Sequence, residues 1–106
     1  MNSTQLEAAL IAQRDTLNRL NALTPALQAT RDSKAAAADI AGQQAALPQG
    51  ALDVGFAASV GMIANYEYNE ADIALREHLA VVEQTRAGVE SLRLRLGAVV
   101  LAEGQG

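Results

Sequence analysis

Residues 71–99 read ADIALREHLAVVEQTRAGVESLRLRLGAV, and their apolar side chains recur at alternating steps of four and three. A repeat of this kind is a heptad seam, which predicts a helix packed along its length against another helix. Seven of the nine seam positions are apolar, and the step never slips. The nine positions are Ala71, Leu75, His78, Val82, Thr85, Val89, Leu92, Leu96 and Val99.

The first part of the chain carries a matching stripe. It runs from Leu6 to Leu27 at the same steps, with Gln13 and Thr24 as polar interruptions. Helical stripes on both sides of the chain's midpoint predict two arms that pack on each other. Asn2, Ser3 or Thr4 can cap the first arm, since short polar side chains bind the free amides at a helix start.

Pro25 lies inside the first stripe, where a proline removes a hydrogen bond and clashes with the preceding turn. Beyond it the same register would bury Arg31 and Lys34. We therefore expect the buried face of the first arm to rotate at Pro25 onto a shifted set of positions. The shifted set is Ala26, Thr30, Ser33, Ala37, Ile40, Gln44 and Leu47.

The sequence LPQG at 47–50 predicts the end of the first arm, because proline excludes the helical conformation for the residue before it. After this break, residues 52–69 are apolar at every second position, which is typical of a half-buried strand. The stretch is long for one strand and offers no tight-turn sequence for a hairpin. Ala51, Gly55 and Ser59 are small residues four apart, so a helix is the alternative, and both interpretations stay open.

Together these features predict an all-α fold, an elongated antiparallel two-arm helical hairpin whose first arm is interrupted at Pro25. Whether a short extended or β segment lies between the arms stays open in this prediction. The predicted parts of this single domain are a first arm at 1–47, a connector at 48–69, a second arm at 70–102 and a frayed tail at 103–106. If the chain folds back about residue 54, the numbers of two residues that face each other across the hairpin sum to 108–110. This pairing brings the polar seam positions of the two arms together, and such polar contacts set the register. The register-setting positions are Gln13, Thr24, His78 and Thr85.

Composition excludes several classes of function. The net charge is −4 and no run of Lys or Arg occurs, so a nucleic-acid partner is not expected. The chain has no cysteine, which excludes disulfides and thiol chemistry. The N-terminus lacks the pattern of a signal peptide, and no apolar run is long enough to span a membrane. We expect no membrane partner and a cytoplasmic or virion-associated protein, with the compartment undetermined.

Candidate chemistry is sparse. His78 is the only histidine, and a lone histidine without cysteine makes a poor metal site, so we interpret it as a packing or capping residue. Glu67, Glu70 and Glu77 resemble the carboxylates of di-iron bundles, but those need a Glu three residues before the histidine, and that position is Leu75. No phosphate loop or nucleophile motif is present. We expect a non-catalytic protein without metal or cofactor.

A second contact surface is indicated by apolar residues that the seam does not use. All three aromatic residues lie in the central stretch, and aromatics are enriched in interface cores. Burial within the subunit is the equal alternative for them. The predicted interface residues are Phe56, Met62, Tyr66, Tyr68, Ile73, Leu94 and Val100.

The order of helix, extended segment and helix, with a proline near the end of the first arm, resembles the β-type prefoldin subunits. That resemblance implies a two-stranded hairpin between the arms, for which no turn sequence is present. A helical hairpin of this length also resembles the WXG family, although the chain has no Trp. No family is assigned on these grounds.

The sequence therefore predicts a structural, oligomer-forming, alanine-rich coiled-coil protein. It would be a component of a larger assembly, for example a phage or virion tail or neck, with copies of itself or other structural proteins as partners. The alternative is a prefoldin-like chaperone or a regulatory adaptor that binds a peptide partner.

Overall fold

A computed structural model shows two long helices that form an antiparallel hairpin, α1 (Ser3–Ala46) and α2 (Ala51–Gln105). The structure describes the backbone of residues 1–46 and 51–105, and side chains within 1–44 and 55–104. The predicted all-α hairpin is confirmed. The predicted break at 47–50 lies outside the described residues.

The chain divides into two compact units. The terminal unit joins Met1–Leu23 to His78–Gly106, and the inner unit is Thr24–Glu77. Each unit therefore pairs a stretch of α1 with a stretch of α2. The boundary in α1 lies next to Pro25. The helix runs through this proline, so the predicted interruption of the first arm there is absent.

α1 begins at a capping box. The backbone amide of Gln5 donates to Asn2 Oδ1 at 2.8 Å, and the amide of Asn2 donates to Gln5 Oε1 at 3.0 Å. This reciprocal pair satisfies amides that a helix start leaves without partners, so Asn2 is the cap among the three candidates. In the same unit, Ser3 Oγ donates to Glu103 Oε2 at 2.7 Å. The residues predicted as a frayed tail are helical as far as Gln105.

The predicted seam of α2 is confirmed, because all nine of its positions are buried or half-buried. Leu75 and Val82 are its most enclosed members, with 2% and 4% of their surface exposed. The same four-three step continues backwards into the stretch predicted as a connector. The additional seam positions are Ala57, Gly61, Ala64 and Tyr68. The extended alternative for this stretch is wrong, since α2 already begins at Ala51.

The predicted rotation of α1 at Pro25 is wrong. The positions of the shifted set from Ala26 to Gln44 are exposed, and its last member, Leu47, lies outside the described residues. The original register continues instead through Arg31 and Lys34, which are half-buried, to Ala41, which is buried. Long cationic side chains tolerate such positions because their aliphatic stems cover apolar surface while their charged ends reach partners or water.

The pairing register also differs from the predicted one. Ser3 pairs with Glu103 in the terminal unit, and Lys34 pairs with Glu67 in the inner unit. The partner numbers sum to 106 and 101 instead of 108–110. The fold point assumed at residue 54 was therefore placed too late, because α2 already begins at Ala51.

Candidate interaction surface

The exposed apolar residues of the chain are concentrated on α2. In the inner unit Phe56, Met62 and Tyr66 keep 74%, 73% and 66% of their surface exposed. In the terminal unit Leu94 and Leu101 keep 65% and 67%. Isolated exposed apolar side chains are normal, whereas a regular exposed apolar set is a feature of helices that pack on a partner.

Part of this set repeats every seven residues along α2, on the helix face opposite the seam. We call it the outer stripe, and every member of it is exposed. Seven residues take a helix through almost two whole turns, so residues seven apart share one face. The outer stripe consists of Tyr66, Ile73, Ala80, Ala87, Leu94 and Leu101.

Three of the predicted interface residues, Tyr66, Ile73 and Leu94, belong to the outer stripe. Phe56, Met62, Tyr66, Ile73, Leu94 and Val100 are all exposed. Tyr68 is the exception, because it is half-buried at a seam position of α2. The four-three step through Ala64 and Ala71 would have placed it there. The role of the six exposed residues in an interface stays a prediction.

The predicted register-setting residues divide in a similar way. Thr24, His78 and Thr85 are half-buried at seam positions, whereas Gln13 is exposed. Thr85 Oγ1 donates to the carbonyl of Val81 at 2.8 Å, so its hydroxyl is satisfied within its own helix. Threonines in helices commonly form this bond with the carbonyl four residues back. Their role in setting the register stays a prediction.

The inner unit carries charged residues at its seam that sequence reasoning had rejected. Lys34 Nζ donates to Glu67 Oε2 of α2 at 3.0 Å. Arg31 donates from Nε and Nη2 to Asp32 Oδ1 at 3.1 and 2.9 Å. The hydrogen bond and charge of Asp32 raise the pKa of Arg31, and Asp72 of α2 adds to the effect. The hydrophobic pattern alone does not reveal these charge pairs. The available clue was an acidic residue within reach of each cation, Asp32 beside Arg31 and Glu67 on α2 for Lys34.

A shallow groove also lies in the inner unit, lined by Ala38, Asp39, Gly42, Gln43, Asn65 and Tyr68. It brings together one carboxylate, two side-chain amides and a phenol. Among the described side chains, no group of three or more His, Asp or Glu is placed to hold a metal ion. Within the same residues, neither helix has an apolar window long enough to cross a bilayer.

Comparisons with protein-family models, with curated proteins and with solved structures found no match to this chain. Function is therefore inferred from the chain's own residues and contacts.

Proposed function

We propose that the chain is a non-catalytic structural protein that assembles through the outward side of α2. The observation that carries this proposal is the outer stripe, an exposed apolar row that runs parallel to a seam already occupied by α1. A helix with two apolar faces buries one of them within its own hairpin and needs a second partner to bury the other.

The small amount of buried surface supports the proposal. Only five apolar residues of the described part are buried, namely Leu6, Leu10, Ala41, Leu75 and Val82. Fifteen large apolar residues there are exposed. Burial of apolar surface contributes about 25 cal/mol per Å², so a single hairpin with this distribution is marginally stable. Assembly would stabilise the folded chain by mass action.

A concentration series measured by static light scattering tests the proposal. We expect the average mass to rise from one chain to a defined multiple as concentration increases, with thermal stability rising in parallel. A monomer across the whole series, folded and with an unchanged melting temperature, would contradict the proposal. The particle suggested by the sequence, a virion tail or neck, stays a prediction.

The alternative function, a chaperone or adaptor that holds a peptide, has its own supporting observation. No charged residue occurs between Asp53 and Glu67, and this interval contains the exposed Phe56, Met62 and Ile63. Such a patch suits an apolar peptide as well as a structural neighbour. A dye that fluoresces on apolar surface distinguishes the two: assembly quenches the signal as concentration rises, whereas an open peptide site keeps it.

A further inference from the structure

The outer stripe has a pattern of side-chain size that is symmetric about the point between residues 83 and 84. Reading from either end, it has two large residues, then two alanines, then two large residues. Tyr66 thus corresponds to Leu101, Ile73 corresponds to Leu94, and the two alanines correspond to each other. A surface that binds an identical copy around a two-fold axis must be self-complementary in this way.

We propose that the outer stripe is covered by the outer stripe of a second copy of this chain, with the two α2 helices antiparallel. This inference rests on the proposed function and names the partner and its orientation. Tyr66 and Ile73, in the inner unit of one copy, pack against Leu101 and Leu94, in the terminal unit of the other. Ala80 packs against Ala87 of the second copy, where small side chains allow the helices to approach closely.

Charge favours the antiparallel orientation over the parallel one. Residues 66–83 carry five acidic side chains and one arginine, which gives a net charge of −4. Residues 84–101 carry three arginines and one glutamate, which gives +2. An antiparallel pair places −4 against +2 on both sides of the axis, whereas a parallel pair places like charges together. Complementary charge fixes orientation in helix pairs, and opposed helix dipoles act in the same direction.

The residues beside the stripe include one favourable and one unfavourable charge pair in this orientation. In antiparallel helix pairs each flanking position faces its equivalent on the other helix, so Arg76 of one copy lies opposite Glu90 of the other. Both side chains are exposed, and each is now paired only within its own helix, with Asp72 at 2.9 Å and with Arg93 at 2.8 Å. At the axis on the same flank, Glu83 lies opposite Glu83 of the second copy, and each of these carboxylates is paired with Arg86 of its own helix. On the other flank Glu77 faces Ser91, which avoids a like-charge contact.

The available area fits a dimer of moderate affinity. The segment from Tyr66 to Leu101 is about 53 Å long at the standard helical rise. A contact strip about 10 Å wide would bury roughly 1,000 Å² over both copies, which is near the lower bound for a specific interface. We therefore expect an association that concentration reverses, and not a permanent dimer.

Cross-linking distinguishes the orientations, because the natural chain has no cysteine. The variants Ile73→Cys and Leu94→Cys are made separately, mixed, and treated with a short bis-maleimide. The antiparallel pair predicts a cross-linked dimer in the mixture and little in Ile73→Cys alone, where the two thiols are about 31 Å apart. A parallel pair predicts the reverse. Ala22→Cys, on an exposed position of α1, replaces Leu94→Cys in the control mixture and should give no dimer.

A second pair of variants tests the close approach of the helices. Ala80→Glu puts a long, charged side chain at the centre of the contact, while glutamate remains a good helix former. We expect at least a tenfold rise in the dimer dissociation constant, with an unchanged circular dichroism spectrum. Ala22→Glu is the matched control, and its dissociation constant should equal that of the natural chain.

The outcomes separate this inference from the proposed function. A chain that is monomeric at every concentration overturns both. An assembly that forms but cross-links through Ile73→Cys alone, or that Ala80→Glu leaves intact, overturns only the antiparallel pairing. Cross-linking confined to the mixture, together with weakening by Ala80→Glu alone, supports it.

Discussion

Replacing glycines inside α2 with alanine should stabilise the protein. Gly61, Gly88 and Gly97 lie well within the helix, and a Cβ added at each would meet no atom within 4 Å. Glycine inside a helix is unfavourable because the unfolded chain loses more conformational freedom there. The open space at each site removes the steric cost that often offsets this gain.

The size of the effect follows from helix propensity. Each substitution should raise the free energy of unfolding by about 0.8–1 kcal/mol. Gly88 and Gly97 are the closest pair and lie about 13 Å apart along the helix, so the effects should add. The triple variant should therefore gain about 2.5–3 kcal/mol, which corresponds to a rise of about 10–20 °C in melting temperature.

Urea unfolding at a concentration where the chain is monomeric measures the free energy of unfolding. Hydrogen exchange then shows which unit each substitution stabilises. Gly61→Ala should slow exchange in the inner unit, and Gly88→Ala in the terminal unit. Gly104→Ala, at the end of α2, is the control and should change stability little, because terminal turns fray. Gly61 is buried, so a loss of stability in Gly61→Ala would show that the seam has no room for a Cβ there and would refute the expected gain.

Three further changes test the packing. Leu75→Ala should cost about 2–5 kcal/mol, since this side chain is 2% exposed, whereas Leu23→Ala, at 55% exposure, should stay within about 0.5 kcal/mol in urea unfolding. Pro25→Ala should raise the melting temperature, with a gain of about 1–3 kcal/mol, because it restores a backbone hydrogen bond inside α1; a loss would mean that the proline is required at the unit boundary. A double-mutant cycle on Lys34 and Glu67, which are 42% and 48% exposed, should give a coupling below about 1 kcal/mol that vanishes in 1 M salt.

The seam of α2 was predictable from sequence because its step never slips and its core members are large. Leu75 and Val82 are strongly apolar, so the two polar positions between and beyond them, His78 and Thr85, did not obscure the pattern. In α1 the corresponding stripe was clear as far as Leu27, and there the prediction failed.

The failure after Pro25 has two physical causes. The rule that cations avoid seam positions ignores the length of their side chains, which lets Lys34 reach Glu67 on α2. The rule that the buried face of a helix rotates at a proline is also incomplete, because a helix can continue in the same register when its packing is favourable. Gln13 shows the opposite error, since a position with the correct spacing is exposed in the structure.

The error over residues 52–69 has a different cause, and it bears on function. A strand alternates apolar and polar residues, but so does a helix that is apolar on two opposite faces. Within the alternating set, Ala64 and Tyr68 belong to the seam, while Phe56, Met62 and Tyr66 lie on the exposed side. Read along the sequence, the residues of these two faces together give the alternation that is typical of a strand. The alternation that favoured extended structure was therefore already evidence for a second apolar face, which is the surface that the proposed assembly requires.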